Sequence, residues 1–526
     1  MRKVLTIVAA AALLAAGCSA GGSGASSPDS GLEVHTASGT LKGTENGAVH
    51  QFQGVPYAQP PVGALRWATP RPPQPRQGTR AADKPGNRCL QAAGSPGGQP
   101  SLNEDCLYLN VTTPAKSGTS RPVMVWLHGG DGTGAGADYD PARLVDQGGV
   151  VVVTVNYRIG AMGNFALPQL GDNASFGTQD QLEALRWVKQ NAAAFGGDAG
   201  NVTVFGESSG AFATCALLSA PQAKGLIERA IMESSSCPAY FAKNALATGL
   251  GRHTLFTPLK DAQAAGTTAV AKFGCGKDPD VLGCLRAGEA VARRRLHRGV
   301  HRDALWHVRA ARLAGNVDAR RPDAADPRAV RLQPRRAAPL RRRHDGRRDE
   351  VRPADVPGFA RGHLRRGLRG EDRRRLPRRA PGPSPRRCPG RPPPRTTAGA
   401  ARPAADAETL ASAGRPVYTY FFADENAPPI PGYAVPPGFP LGAAHGLEMG
   451  YLFWEAKGNA AQQQLSRTMI GYWTNFARTG DPNGAGLPTW PRFSEGARVQ
   501  RFAPDQVGPI DPQTQSKCSL WRQVGV

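Results

Sequence analysis

The stretch "NVTVFGESSG", residues 201–210, decides how this chain is interpreted. It begins with valine, threonine and phenylalanine residues typical of a buried strand, and "AFATCALLSA" (211–220) after it has a helical pattern. Between them stands G-x-S-x-G, which could be a plain Gly/Ser turn. At a strand-to-helix junction, however, such glycines permit a tight turn that projects the serine hydroxyl above the sheet edge. We therefore predict that Ser208 is a nucleophile.

The surrounding sequence predicts an α/β fold. Apolar, β-branched runs bounded by turn residues are typical of buried strands. They are "PVMVWLH" (122–128), "VVVVTVNY" (150–157), "RAIMES" (229–234) and "PVYTYFF" (416–422). Helical patterns lie between strands, as in "DQLEALRWVKQNAAAF" (180–195). This alternation predicts a mainly parallel central sheet covered by helices on both faces.

The net charge of +24 over 526 residues would suggest an anionic partner, but its distribution does not. Residues 291–400 hold 32 of the 65 Lys and Arg residues, all of them Arg, and 10 of the 41 acidic residues. The remainder of the chain is close to neutral. The basicity is therefore a property of one segment, and we expect no nucleic-acid partner.

That segment, residues 291–402, is rich in Arg and Pro and has neither strand nor helix periodicity. Three interpretations compete: an insert that binds nucleic acid or membranes, a native disordered linker, and a shifted reading frame that is restored downstream. We favour the frame shift, because GC-rich codons read out of phase yield Arg, Pro, Ala and Gly. The segment would then separate two parts of one fold, residues 31–290 and 403–526.

The N-terminus has the pattern of an export signal. Residues 1–17 combine two early cations with an apolar run too short to span a bilayer permanently. "LLAAGC" (13–18) resembles a bacterial lipobox, in which the cysteine is lipidated. We predict a lipoprotein signal peptide, a lipid on Cys18, a flexible tether over residues 18–30 and a membrane anchor. The alternative is plain secretion into the extracellular space.

Cysteines of an exported protein tend to pair. We set aside Cys18, and Cys388 within the Arg-rich segment. Proximity in sequence then suggests three disulfides and leaves Cys518 without a partner. The suggested pairs are Cys89–Cys106, Cys215–Cys237 and Cys275–Cys284.

Several motifs resemble the type-B carboxylesterase family, which includes cholinesterases and many lipases. "FGGDAGNVTVFGESSG" (195–210) and "EDCLYLN" (104–110) are similar to its two signatures. The resemblance covers roughly residues 31–290 and 403–522. It implies an α/β-hydrolase fold, a catalytic triad in the order Ser, acid, His, and hydrolysis of carboxylic esters. It also supports the pairing of Cys106 and the small Cys275–Cys284 loop.

The resemblance implies two partners for Ser208. His445, in "GAAHGLEMGYLF" (442–453), matches the catalytic histidine of the family and would be the general base. Glu350, in "GRRDEVR", superficially matches the acid and lies in the right order between Ser208 and His445. No apolar strand precedes Glu350 to position it. The acid of the family orients the histidine, so a chain in which no acid takes this position would have reduced activity.

The oxyanion of an acyl-transfer intermediate needs backbone N–H donors. "HGG" (128–130) follows a predicted strand, so we expect Gly129, Gly130 and the N–H of Ser209 to supply them. Two departures from the family are visible. Asp131 stands where a further glycine is usual, and a carboxylate there would oppose an oxyanion. Ser209 replaces alanine, which leaves the backbone donor in place.

The sequence therefore predicts a serine carboxylic-ester hydrolase that acts through an acyl-enzyme intermediate on a small-molecule ester. No metal or organic cofactor is expected. We predict an exported protein, anchored to the cell membrane or extracellular. The alternative is a catalytically inactive relative that serves in binding or adhesion.

Overall fold

The computed structural model describes residues 31–92, 99–130, 132–235, 237, 240–241, 253–254, 256–287, 403–432, 441–454, 458–493 and 498–511. Several predictions concern residues outside these ranges and are not addressed by the fold. They are the signal peptide, Cys18, the tether, Asp131, Cys518 and the whole of segment 291–402 with Glu350 and Cys388.

Strands and helices alternate through most of the described chain. The strands are β1 (Glu33–Thr36), β2 (Gly39–Lys42), β3 (Thr44–Asn46), β4 (Val49–Pro56), β5 (Thr79–Ala81), β6 (Tyr108–Pro114), β7 (Arg121–Leu127), β8 (Val151–Val155), β9 (Gly197–Glu207), β10 (Arg229–Glu233), β11 (Tyr240–Phe241), β12 (His253–Thr254), β13 (Tyr420–Phe422), β14 (Val499–Ala503) and β15 (Gln506–Ile510). The α-helices are α1 (Ala142–Gly148), α2 (Gly160–Gly163), α3 (Phe176–Asn191), α4 (Ser209–Ser219), α5 (Leu259–Lys272), α6 (Val281–Ala287), α7 (Pro403–Ser412) and α8 (Ala460–Thr479).

The largest sheet has seven described strands in the order β10-β9-β7-β8-β6-β4-β3. β8, β7, β9 and β10 pair in parallel, whereas β6, β4 and β3 complete the sheet by antiparallel pairing. The predicted α/β architecture is thus present, in a mixed sheet. The parallel half contains the strands predicted from four of the apolar runs. The fifth run, "PVYTYFF", forms only the short strand β13, which pairs with β14 in a separate sheet.

Side chains of β7 alternate between two cores because successive residues of a strand point to opposite faces. Val123 and Val125 pack in a core with Leu185 of α3. Met124 and Trp126 pack in a second core, which includes residues of α8. Both faces of β7 are fully buried, which explains its continuous apolar sequence.

The carboxyl ends of three parallel strands meet at one edge of the sheet. Leu127, the last residue of β7, is in register with Gly206 of β9, and Glu207 is in register with Glu233 of β10. The loops that follow these strands therefore begin side by side, as in other α/β proteins that bind ligands at this edge.

The three predicted disulfides are present: Cys89–Cys106, Cys215–Cys237 and Cys275–Cys284. The second connects α4 to the chain beyond β10. No helix in the described ranges is long and apolar enough to cross a bilayer.

Candidate active site

Ser208 occupies the corner between β9 and α4 in a strained backbone conformation. Its φ is 54° and its ψ is −118°, a region that residues with a side chain rarely adopt. Three hydrogen bonds hold it there. The Ser208 N–H donates to the carbonyl of Glu233 (3.0 Å), and its own carbonyl accepts from the N–H groups of Ala211 and Phe212 (3.1 and 3.2 Å).

The two glycines of the motif are required for close packing. Neither has a positive φ, so the strain lies on Ser208 and not on the glycines. A Cβ at Gly210 would lie 1.9 Å from the Leu127 carbonyl oxygen, and one at Gly206 would lie 2.7 Å from the Gly210 backbone. The corner can therefore lie against the end of β7 only when both positions lack a side chain.

The predicted oxyanion donors lie beside this corner. A Cβ at Gly129 would be 3.1 Å from Ser208 Cβ, and Gly130 has a φ of 106°. The Gly129 backbone also makes a hydrogen bond with Tyr139. Ser209, buried at the first turn of α4, adds the positive end of a helix dipole.

His128 fixes the backbone of this glycine loop. Its ring stacks on Tyr157 with centroids 4.4 Å apart, and burial lowers its pKa, so the imidazole is neutral. The Nδ1–H then donates to the Gly129 carbonyl (2.9 Å). The Tyr157 hydroxyl donates to the His128 carbonyl. The carbonyls of His128 and Gly129 are thereby occupied, which holds this part of the loop in one conformation.

His445 reaches the same edge from a distant part of the chain. Its loop continues into a short 3-10 helix, Leu447–Tyr451, that enters the second core. Phe453 packs on Trp126 of β7 with ring centroids 4.6 Å apart and stacks on Phe205 of β9 at 6.0 Å. Because β7 and β9 carry Gly129 and Ser208, the same packing fixes the histidine loop relative to both.

The imidazole of His445 contacts a carboxylate that the sequence analysis did not name. His445 Nε2 lies 3.1 Å from Glu207 Oε1, the residue immediately before Ser208. The Glu207 side chain is 5% exposed and that of His445 is 44% exposed.

Two further glutamates lie behind the corner. Glu233, fully buried at the end of β10, accepts a hydrogen bond from Trp473 Nε1 (2.7 Å). Burial, and secondarily the nearby Glu448 carboxylate, raise the pKa of Glu233 to about 8. Glu448 accepts a hydrogen bond from the Ser234 hydroxyl. A neutral Glu233 avoids placing another negative charge in this cluster.

Comparison with known proteins identifies the family. The Carboxylesterase family matches residues 30–290 and 399–521. The medium-chain fatty acyl-CoA hydrolase precursor of Anas platyrhynchos is 30% identical over 88% of this chain and 86% of its own length. This chain belongs to the carboxylesterase family.

Other carboxylesterase relatives match over shorter stretches or by structure. The para-nitrobenzyl esterase of Bacillus subtilis (strain 168) is 45% identical, but only over 39% of this chain and 43% of its own length. The solved structure of a PNB esterase has a TM-score of 0.63 at 25% identity, covering 93% of this chain and 99% of its own. A carboxylesterase of Geobacillus stearothermophilus has a TM-score of 0.61 at 26% identity, covering the same shares. The predicted α/β-hydrolase fold is thus confirmed.

The structure brings together most of the residues that the carboxylesterase resemblance selected. Gly129, Gly130, Ser208 and Ser209 form one corner, and His445 contacts it through Glu207. Glu350 lies outside the described residues. One signal could have identified Glu207: it ends the buried second half of β9, and a buried carboxylate requires a partner. Within the described residues, no cluster of three His, Cys, Asp or Glu side chains could hold a metal ion.

Proposed function

We propose that this member of the carboxylesterase family hydrolyses carboxylic esters through an acyl-enzyme on Ser208. One observation carries the proposal: a strained serine at a strand-to-helix corner lies directly beside the glycine loop of Gly129 and Gly130. Nucleophile and oxyanion donors at one corner are what acyl transfer requires.

The proposed reaction has two halves. In the first, Ser208 Oγ attacks the ester carbonyl while His445 takes its proton, and the protonated imidazole then gives that proton to the departing alcohol. In the second, His445 activates a water that releases the acid and regenerates Ser208.

The negative charge on the carbonyl oxygen would be held by Gly129, Gly130 and the N–H of Ser209. His128 supports this arrangement by keeping the glycine loop in one conformation. Donors fixed before the reaction stabilise the transition state without reorganisation, and one such donor is typically worth a factor of about 10²–10³ in rate.

The substrate class rests on the ester bond alone. Relatives of this chain are named for different substrates, among them a para-nitrobenzyl esterase, a fatty acyl-CoA hydrolase and a cocaine esterase. What these compounds share is an acyl group joined to a leaving group by an ester or thioester. A small-molecule ester with an activated alcohol is therefore a suitable probe of this site.

The location and the chain organisation belong to the same proposal. We infer that the protein is exported and held at the membrane by a lipid on Cys18. The basis is the apolar signal of residues 1–17 and the Gly/Ser-rich stretch 18–30. Residues 31–290 and 403–526 would form the hydrolase, with the Arg-rich segment 291–402 between them as the product of a frame shift.

The hydrolysis of p-nitrophenyl butyrate tests the proposed function. Ser208→Ala removes the nucleophile and should lower the rate by a factor of about 10⁴ or more. Ser219→Ala is the matched control, because this serine lies at the other end of α4 and bonds only to the Cys215 carbonyl among the described residues. Equal rates for wild type and Ser208→Ala would reject the proposal and favour the inactive binding or adhesion protein.

A further inference from the structure

We propose that the Cys215–Cys237 disulfide is a redox switch on the reactivity of Ser208, which a dithiol opens. This inference rests on the proposed function, because the switch acts on the site proposed there. The bond joins the helix that begins beside Ser208 to the chain that leaves β10. Neither cysteine would touch the ester, so the pair acts by positioning other residues.

The disulfide restrains a strained turn next to the nucleophile. Ser234, the first residue after β10, has a φ of 54°. A residue with a side chain stays in this left-handed region only where the surrounding structure holds it. Cys237 follows shortly afterwards and is bonded to Cys215 of α4. The crosslink therefore opposes any straightening of the chain beyond β10.

The turn at Ser234 contacts both loops of the proposed site. The carbonyl of the preceding residue, Glu233, accepts from the N–H of Ser208 at 3.0 Å. The Ser234 hydroxyl donates to Glu448, which lies in the 3-10 helix that follows His445. A movement of this turn would therefore reach the nucleophile and the histidine loop together.

The chain beyond β10 is attached to α4 at a second place. Phe256 packs edge-on against Phe212 of α4 with ring centroids 6.2 Å apart. The N–H of Phe212 donates to the Ser208 carbonyl at 3.2 Å, and Cys215 lies about one turn further along the helix. The disulfide is the covalent part of this attachment, so a reductant can remove it without removing a side chain.

The exposure of the cysteines determines which disulfides a reductant reaches. Cys89 and Cys106 of the first disulfide are both buried. Cys237 of the second disulfide and Cys284 of the third are partly exposed. Because a thiolate has to reach a sulfur of the disulfide to attack it, access controls the rate. We therefore expect the second and third disulfides to open before the first.

Opening the switch is a two-electron exchange. One thiolate of the dithiol attacks Sγ of Cys237, the S–S bond breaks, and Cys215 leaves as a thiolate. The second thiol of the reagent then displaces Cys237. The protein gains two electrons and two protons as two thiols, and the reagent becomes a cyclic disulfide. The chain can then relax at Ser234, which would draw the Glu233 carbonyl away from the Ser208 N–H.

The first test uses the variant Cys275→Ala/Cys284→Ala, which lacks the third disulfide. Its rate of fluorophosphonate labelling at Ser208 and its hydrolysis of p-nitrophenyl butyrate are measured before and after treatment with dithiothreitol. Alkylation of separate samples, followed by peptide mass spectrometry, shows which cysteines have been reduced. Both rates should fall about tenfold or more once Cys215 and Cys237 are reduced, because small misplacements of reacting groups are costly. Reoxidation should restore both rates.

The second test removes the bond permanently. Cys215→Ala/Cys237→Ala should have the lower rates without any reductant and should not respond to dithiothreitol. Cys275→Ala/Cys284→Ala is the matched control, because its cysteines pack in a separate core with α5 and α6. Without reductant, this control should stay within about twofold of wild type. If thermal melting shows that Cys215→Ala/Cys237→Ala does not fold, the reversible reduction of the control variant decides the question.

The two proposals fail in different ways. Wild-type activity that survives Ser208→Ala rejects the proposed function. Ser208-dependent activity that stays within about twofold after Cys215 and Cys237 have been reduced overturns the redox switch alone. A response to dithiothreitol that persists in Cys215→Ala/Cys237→Ala also overturns it. So does a loss of activity that accompanies loss of the near-UV circular dichroism signal, because the proposed change is local and leaves the fold intact.

Discussion

Ser208 concentrates the backbone strain of the site on the residue that is proposed to react. A non-glycine residue with a φ of 54° and a ψ of −118° costs of the order of 1–3 kcal/mol. Its hydrogen bonds to Glu233, Ala211 and Phe212 offset part of this cost. The flanking glycines contribute in another way, by allowing the corner to approach β7 closely.

Gly210→Ala tests this close approach. The added methyl group would lie 1.9 Å from the Leu127 carbonyl oxygen. The methyl group is attached directly to the backbone and the oxygen is part of it, so neither can move away freely. We expect the free energy of unfolding to fall by about 3 kcal/mol or more in urea denaturation. Gly508→Ala is the control, because a Cβ there meets nothing within 4 Å. Equal effects of the two substitutions would contradict the packing argument.

Glu233 predicts a pH dependence of stability. Its pKa rises on folding from an ordinary 4.5 to about 8, so the native state binds a proton that the unfolded state has lost between these values. This glutamate therefore destabilises the fold progressively as pH rises from about 4.5 to 8. Glu233→Gln mimics the neutral form and can still accept from Trp473, so it should be near neutral at pH 5 and stabilising at pH 8.5.

Urea unfolding of wild type and Glu233→Gln at both pH values measures this effect. Glu228→Gln is the control, because its carboxylate pairs with Lys189 and is partly accessible to water. The expected result is a gain that appears only in Glu233→Gln and only at the higher pH. A gain of the same size at pH 5 would show that the effect does not come from protonation.

At the scale of elements, the loop that carries His445 is positioned by aromatic packing. Phe453 contacts Trp126 and Phe205 in the second core, and Trp454 Nε1 donates to the Asp138 carbonyl at 3.1 Å. A loop held in this way can present a side chain accurately. The proposed catalytic geometry depends on the core beneath the loop as well as on its polar contacts.

Phe453→Ala should destabilise the protein by about 3–5 kcal/mol, because it removes a fully buried aromatic side chain. It should also lower kcat for p-nitrophenyl butyrate at temperatures where the variant remains folded, since His445 loses its support. Phe453→Leu fills most of the space and should recover most of both properties. Full activity of a folded Phe453→Ala variant would mean that the loop is positioned by other contacts.

The elements show what the sequence could and could not predict. β7, β8, β9 and β10 were predicted because each contains an apolar run, as buried parallel strands do. The antiparallel side of the sheet was not, since β3, β4 and β6 carry polar residues and their pairing depends on distant partners. The contact between Glu207 and His445 likewise joins residues far apart in sequence, and no local pattern specifies it.

At the scale of the whole molecule, the two matched parts of the chain share one core. Trp126 and Phe205, from the first part, pack in the same cluster as Leu465, Met469 and Trp473 of α8. The proposed site is divided in the same way, with Ser208 in the first part and His445 in the second. Reactivity at Ser208 therefore reports whether the two parts have assembled into one core.

Covalent labelling with a fluorophosphonate, followed by peptide mass spectrometry, tests the central claim most directly. We expect a single adduct on Ser208 in the wild-type chain, no adduct in Ser208→Ala, and labelling in His445→Gln that is slower by a factor of about 10² or more. An unlabelled wild-type protein, or an adduct that persists in Ser208→Ala, would contradict the assignment of Ser208 as the nucleophile.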